Sequence, residues 1–366
     1  MSQESRYVHM VLRLLLCEQG SATHNVIDTN DLVNVDWDVI LPLVRRNVLT
    51  IRTFRSLSEL GISVPSICRD EIRKEQSRIS KTMELIAQID KMLGGEKGEF
   101  VFTKSFQHYP DMGHDVDLFV LDRSQEVDVL IKNALSASAL RGSLCHKLAG
   151  KQGYKIRGYP SPIEIHHGRL GHVGEHTIYP EMLVRNRRRI TMDGITTFVP
   201  SSEDQLIMQV MQRMYSHLCI RLSDFIHSVL VIRQGDLDWD YVVGTTEQIG
   251  IFDGLRCYLQ YVNQIHNELF GKDIIPPERR EILARGGIGE IRLKGYHYHF
   301  PTVKVVGRLY AKRIFAALGS LNWSGAGRMC FLIPLAVLAG FRFFARRGAL
   351  LIRSMATKRS RVEGDA

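Results

Sequence analysis

Apolar residues recur at steps of three and four from Tyr7 to about Leu93, in the stretches RYVHMVLRLLL, WDVILPLVRRN and ISKTMELIAQIDKML. That period puts them on one side of successive helices. Asp36 stands where an N-cap would open the second of these, and Gly61 and Pro65 punctuate the run. The segment GGEKGE at 94–99 has the glycines and charges of a turn and closes an N-terminal helical region over residues 1–93. Beyond it the period changes to two. EFVFTKS predicts a strand, FQHYPDMGH a turn-rich link, and DVDLFVLD a second strand with Asp115, Asp117 and Phe119 on one face and Val116, Leu118 and Val120 on the other. Residues 125–150 read as a helix and its exit. SPIEIHHG then offers a third strand, Ile163 and Ile165 pointing away from Glu164 and His166, and RRRITMDGITTFVP a hairpin turning at Asp193-Gly194.

Helices resume after residue 200. Ser202 and Gln205 have capping-box spacing at the start of EDQLIMQVMQRMYSHL; SDFIHSVLVIRQG follows, and Asp238 or Asp240 opens a further helix around Trp239–Val243. The class is therefore α+β: a small mixed sheet in a core at 94–200, flanked by the N-terminal helices and by a C-terminal helical region at 201–325, with a basic apolar tail at 326–366. The tail run MCFLIPLAVLAGF, at 329–341, is too short for the ~20 residues that span a bilayer. With Arg342, Arg346, Arg347 and Arg353 behind it, it reads either as a core helix with a basic exit or as an interfacial helix making peripheral membrane contact on anionic lipid.

Composition narrows the classes. A hydrophobic content of 45% with 24% charged residues excludes bulk disorder. Six cysteines with no CxxC pair, and an N-terminus without the order of a secretory signal, point to the cytoplasm, or to its membrane surface through the tail. The net charge of +9 favours anionic partners. Much of the excess sits in RNRRR at 185–189 and in the tail, which disfavours a continuous nucleic-acid groove and makes a nucleotide the better partner.

Asp-x-Asp occurs at 36/38, 115/117, 236/238 and 238/240. The pairs around Trp37 and Trp239 precede helices, where aspartate caps backbone N–H groups. Only Asp115 and Asp117 lie on a strand that turns both carboxylates the same way, with a further strand carboxylate at Glu164. Phosphoryl chemistry needs such a set, because Mg²⁺ takes oxygen ligands and keeps substrate phosphates among them, and a third carboxylate can bind a second ion or take the proton of an attacking hydroxyl. An exposed metal site is one reading; an acidic strand edge that discourages aggregation is the other. His166 shares the face of Glu164 and either orients substrate or is hydrogen-bonded at a strand end. His172 and His176 have i,i+4 spacing, but Gly171 and Gly174 argue against a helix there, and no HExxH is present.

Lys104-Ser105, nine residues, then Asp115-Val116-Asp117-Leu118-Phe119-Val120 resembles the glycine-serine and aspartate-x-aspartate motif of the polymerase-beta-type nucleotidyltransferase superfamily. More narrowly, VDWDVILPLVRRNVL, FVFTKSFQHYPDMGHDVDLFV, PIEIHHGRL and FVPSSEDQLIMQVMQRM through RLSDFIHSVLVIRQGDLDWDYV, roughly residues 35–243, resemble the bacterial family of uncharacterised nucleotidyltransferases. The resemblance implies Asp115 and Asp117 as metal ligands, Glu164 as third carboxylate, Ser105 on a nucleotide phosphate with Lys104 adding charge, Mg²⁺ or Mn²⁺ as cofactor and a nucleoside triphosphate, ATP, as donor. It implies transfer of AMP to a hydroxyl of a small molecule or a protein, with pyrophosphate leaving. Two features depart from the pattern: Lys104 stands where the superfamily has glycine, unless it matches a lysine-glycine pair, and Asp111–His114 lack the arginine that family members often carry there. A nucleotide- or partner-binding protein without turnover, and an RNA-directed transferase without a recognisable RNA-binding module, are the competing readings.

Overall fold

The structure, a computed structural model, describes residues 3–17, 35–94, 98–121, 126–283, 289–319 and 321–331. Among the described residues four helices come first: α1 (Gln3–Leu16), α2 (Trp37–Arg46), α3 (Thr50–Glu59) and α4 (Ser66–Met92). Asp36 caps α2, accepting from the Asp38 N–H at 3.1 Å, as its position before the apolar run implies.

The sheet is built from β1 (Phe100–Phe102), β2 (Val116–Val120) and, after α5 (Glu126–Ala134), β3 (Ser138–Ala139), α6 (Leu144–Leu148), β4 (Lys151–Lys155) and β5 (Ile163–His167). Its order is β1-β2-β5-β4-β3, with β2 and β5 parallel and the other pairs antiparallel. The architecture is thus α+β with a mixed sheet. Between residues 125 and 150 the expected helix is α5, but the exit carries β3 and α6, and β4 follows. The segment KQGYK gives little strand signal, since Gly153 interrupts it and Tyr154 is its one buried side chain.

Period-two alternation sorts the sheet faces. Val116, Leu118, Val120, Ile163 and Ile165 pack with Ile79, Met83, Ile86 and Ile89 of α4 in one apolar cluster. Phe119, on the opposite face, belongs to a second cluster that joins the N-terminal helices to those after residue 200. Polar side chains on the Phe119 face therefore point into the space between sheet and helical body.

A short helix, α7 (Tyr179–Arg185), leads to the hairpin β6 (Arg188–Met192) and β7 (Ile195–Val199). Asp193 (φ 49°) and Gly194 (φ 77°) make its two-residue turn, both at the positive φ that the right-handed strand twist requires. The basic run at 185–189 is the exit of α7 and the start of β6, with the Arg187 guanidinium 4.3 Å from the Phe198 ring centre.

The helix α8 (Ser202–Gln212) starts one residue earlier than capping-box spacing suggested. Ser201, not Ser202, is the cap, its Oγ accepting from the Asp204 N–H at 3.1 Å, while the Gln205 amide donates to the Pro200 carbonyl. Nor does α8 run on to Leu218. Arg213–His217 form a π-helical turn that ends at Leu218 in the left-handed region (φ 59°). Then come β8 (Cys219–Ile220), α9 (Leu222–Gln234), α10 (Trp239–Gln248), capped by Asp238, and α11 (Phe252–Phe270). β10 (His297–His299) pairs with β8 on one side and with β9 (Arg292–Lys294) on the other, and α12 (Thr302–Gly319) and α13 (Trp323–Cys330) follow. Beyond Phe331 the apolar run and the tail arginines lie outside the described residues. Among those described, no helix is long and apolar enough to cross a membrane.

Candidate active site

Parallel pairing sets Asp117 on β2 directly opposite Glu164 on β5, and Phe119 opposite His166. Side chains at i and i+2 share a strand face, so Asp117, Glu164 and His166 converge on one patch of the sheet. A carboxylate oxygen from each acid and a ring nitrogen of His166 lie within 4.8 Å of one another. Asp115 sits just before β2 and is exposed, whereas Asp117 is only 3% exposed. Of the exposure expected for both aspartates, only that of Asp115 is found: Asp117 is buried in contact with Lys104 and His166, which line the cleft together with Asp115.

The turn ahead of the aspartates is held from several sides. The Thr103 N–H donates to the Asp117 carbonyl at 3.0 Å, so the start of the turn is tied to β2. Asp111 is buried and accepts from the first-turn N–H groups of α3, Ile51 at 2.7 Å and Arg52 at 3.2 Å, and from Arg52 Nε at 3.1 Å. Arg78 of α4 donates to the carbonyls of Met112 at 2.6 Å and Gly113 at 2.7 Å. Its charge is balanced by Glu75.

Two lysines meet the carboxylates. Lys104 forms an ion pair with Asp117, and Lys151 Nζ lies 2.9 Å from Glu164 Oε1. His166 Nε2 is 2.9 Å from the same Glu164 oxygen and 3.5 Å from Asp117 Oδ1. Burial alone would push Asp117 up, but Lys104 and His166 outweigh it and hold the carboxyl at about 2. Glu164 behaves alike: burial raises it, and His166, Lys151 and Lys104 bring it well below the usual carboxylate range. Asp115 goes the other way, raised foremost by the neighbouring Asp117 charge. Burial would lower the Lys104 ammonium, yet the carboxylates around it, Asp117 foremost, raise it.

Lys104, Asp115, Lys151, Glu164 and His166 open into a cleft of about 430 Å³, a volume in the range of small-molecule sites. Thr103, Lys104, Asp115, Glu164 and His166 line it from the sheet and the turn before β2; Met208, Met211 and Gln212 line it from α8, and Ser216 and His217 from the π-helical turn; Ser143, His146, Lys151 and His172 also contribute. Ser105 lies behind Lys104, 2% exposed, with its Oγ unpartnered. Burial, Arg213, Arg221 and Lys104 lower His217 to about 4. His176 is not part of the cleft. It is buried against Arg313, which also pairs with Glu175 at 2.6 Å.

The donor set suits a divalent cation. Two carboxylates and an imidazole point at one another from a buried patch, and neither ring nitrogen of His166 has a hydrogen-bond partner in a bonding direction. Buried polar atoms are rarely left so, and an ion between the two acids would account for both features. Asp117 and Glu164 were legible in the strand alternation. Lys151 was not, for its strand was not, and the π-helical turn that brings Ser216 and His217 to the cleft gave no sign in an unbroken helical pattern.

No curated protein and no solved structure matches the chain. Residues 34–267 match the family described as uncharacterised nucleotidyltransferase, a span running from ahead of α2 almost to the end of α11 and holding every residue that lines the cleft, and the chain belongs to that family.

Proposed function

We propose that the cleft moves a nucleoside monophosphate, AMP from ATP, to a hydroxyl of a small molecule or protein, with pyrophosphate as the leaving group. The observation that carries this reading is the in-register placement of Asp117 and Glu164 on parallel neighbours, beside Asp115 and two lysines, in a cleft large enough for a nucleotide. Mg²⁺ or Mn²⁺ held by Asp115, Asp117 and Glu164 would supply charge neutralisation on the phosphates and a clamp on the attacking and leaving oxygens.

The chain's own groups divide the remaining work. Lys104 and Lys151 bring positive charge to the side of the cleft where the phosphates would lie, and Ser105 contributes an unpartnered hydroxyl from the turn. Met208 and Met211 offer a polarisable apolar wall for a base, with the Gln212 amide beside them for its polar edge. The acceptor hydroxyl's proton passes to Glu164 or a neighbouring carboxylate of the set. All six cysteines are free, which fits the cytoplasm, where ATP is abundant.

The test is incubation of the purified protein with each α-labelled nucleoside triphosphate, Mg²⁺ or Mn²⁺, and host lysate. Label passing from ATP to a protein band or a small molecule identifies donor and acceptor class together. Nucleotide binding with no transfer from any donor would replace this reading with that of a binding protein, and label confined to ribonuclease-sensitive material would make the acceptor RNA.

A further inference from the structure

The third group at the centre of the cleft is an imidazole, not a carboxylate. His166 is 4% exposed, in the same strand face as Glu164, and its Nε2 faces both acids at 2.9 and 3.5 Å. An ion pair with Glu164 does not explain it: the distance is short enough, but neither Nδ1 nor Nε2 has a partner along a hydrogen-bond direction. A merely structural histidine in so buried a place would have one. Nor is it held as filler, since the apolar side of β5 is supplied by Ile163 and Ile165.

We propose that His166 ligates a divalent ion together with Asp117 and Glu164, giving the site a mixed oxygen–nitrogen donor set that prefers Mn²⁺ to Mg²⁺. The inference rests on the metal-dependent transfer proposed above and adds the ligand and the ion. The chemical reason lies in the donors. Mg²⁺ favours oxygen ligands and gives up its water reluctantly, so an imidazole adds little to its binding. First-row transition ions accept imidazole nitrogen readily, and Mn²⁺ also keeps the affinity for carboxylates and phosphate oxygens that this chemistry needs. Replacing one oxygen donor by nitrogen thus leaves the carboxylate clamp intact while tilting the choice of ion.

The test uses the full chain and Mn²⁺ alone, without nucleotide. Binding is followed by the loss of the free-ion electron paramagnetic resonance signal, and coordination by electron spin-echo modulation from ¹⁴N. The wild type should show directly bound histidine nitrogen and bind Mn²⁺ at least about 10-fold more tightly than Mg²⁺. His166→Asp should still bind Mn²⁺ but lose the nitrogen modulation and most of the preference; His166→Asn provides the same comparison with a neutral side chain of similar size. Mn²⁺ bound without nitrogen modulation, or modulation that persists in both variants, would overturn the proposal and leave the carboxylate site standing, provided Asp117→Asn abolishes binding. No Mn²⁺ binding at all, or binding indifferent to Asp117→Asn, would overturn both.

Discussion

Asp115 and Asp117 are two residues apart and titrate in opposite directions. Asp117 is buried against Lys104 and His166, which hold it ionised, whereas Asp115 has Asp117 as its dominant neighbour and is raised by that repulsion. The same contrast fixes the expected behaviour of Glu164, which His166, Lys151 and Lys104 hold below the usual carboxylate range. Glu164→Gln removes a ligand charge from the centre of the cleft, and the rate of nucleotidyl transfer should fall by about 10²-fold or more, with nucleotide binding less affected. A variant within a few-fold of the wild type in single-turnover transfer would remove Glu164 from the site. At this scale, alternation in DVDLFV and PIEIHH told which acids share a face, because the period of a strand is fixed by its backbone. It could not tell that the strands are parallel neighbours in a register that sets Asp117 against Glu164, since that depends on contacts between segments far apart in sequence. Hence Lys151 and the central position of His166 became visible only in three dimensions.

The elements around the motif turn act as its frame. Arg78, on α4, spends its donors on the carbonyls of Met112 and Gly113, just ahead of Asp115, and on Ser161 Oγ just ahead of β5. One side chain therefore ties the approaches to β2 and β5 to a long helix. Arg78→Met should keep most of the packing while releasing those carbonyls. We expect kcat to fall by at least about 10-fold through misplacement of Asp115, at a stability cost of roughly 1–3 kcal/mol. Hydrogen exchange should show faster turnover of amides in residues 112–116; unchanged exchange and unchanged kcat would show that the turn holds itself. The helices were the most legible elements, down to the caps at Asp36 and Asp238, because long apolar periods and capping residues are local signals. The one-residue error at Ser201 has a local cause as well: two adjacent serines offer the same cap, and the choice falls to Asp204, whose backbone N–H meets Ser201.

Across the whole molecule, the N-terminal helices and the helices after residue 200 share one apolar cluster, with the sheet packed beside it through Val101 and Phe119. Asp204 sits at a junction of that body. It is buried at the start of α8 and accepts from the hydroxyls of Tyr179 and Tyr241, both at 2.9 Å, so it links α7, α8 and α10. Burial outweighs those hydrogen bonds and raises the carboxyl to about 6 from an ordinary 3.8. A carboxyl whose folded value lies above its unfolded value binds the proton more tightly in the native state, so its contribution is full below pH 3.8 and is lost as pH rises through about 6. Wild-type stability should accordingly decline relative to Asp204→Asn between those values, by at most about 1.4 kcal/mol per pH unit, in chemical denaturation at a series of pH values. A difference that stays flat across that window would show that Asp204 is not strained by its burial. Composition and charge could not have located this residue, whose behaviour comes from which helices meet around it.

The central claim is that Asp117 anchors a metal-dependent nucleotidyl transfer. The direct measurement is transfer of label from α-labelled ATP, with Mn²⁺ or Mg²⁺ and host lysate, by the wild type and by Asp117→Asn, with circular dichroism confirming that the variant folds. Label should reach an acceptor with the wild type only when divalent metal is present, and transfer by the folded Asp117→Asn protein should be at least about 10²-fold slower. Equal transfer by the two proteins, or wild-type transfer that survives removal of divalent metal, would contradict the account.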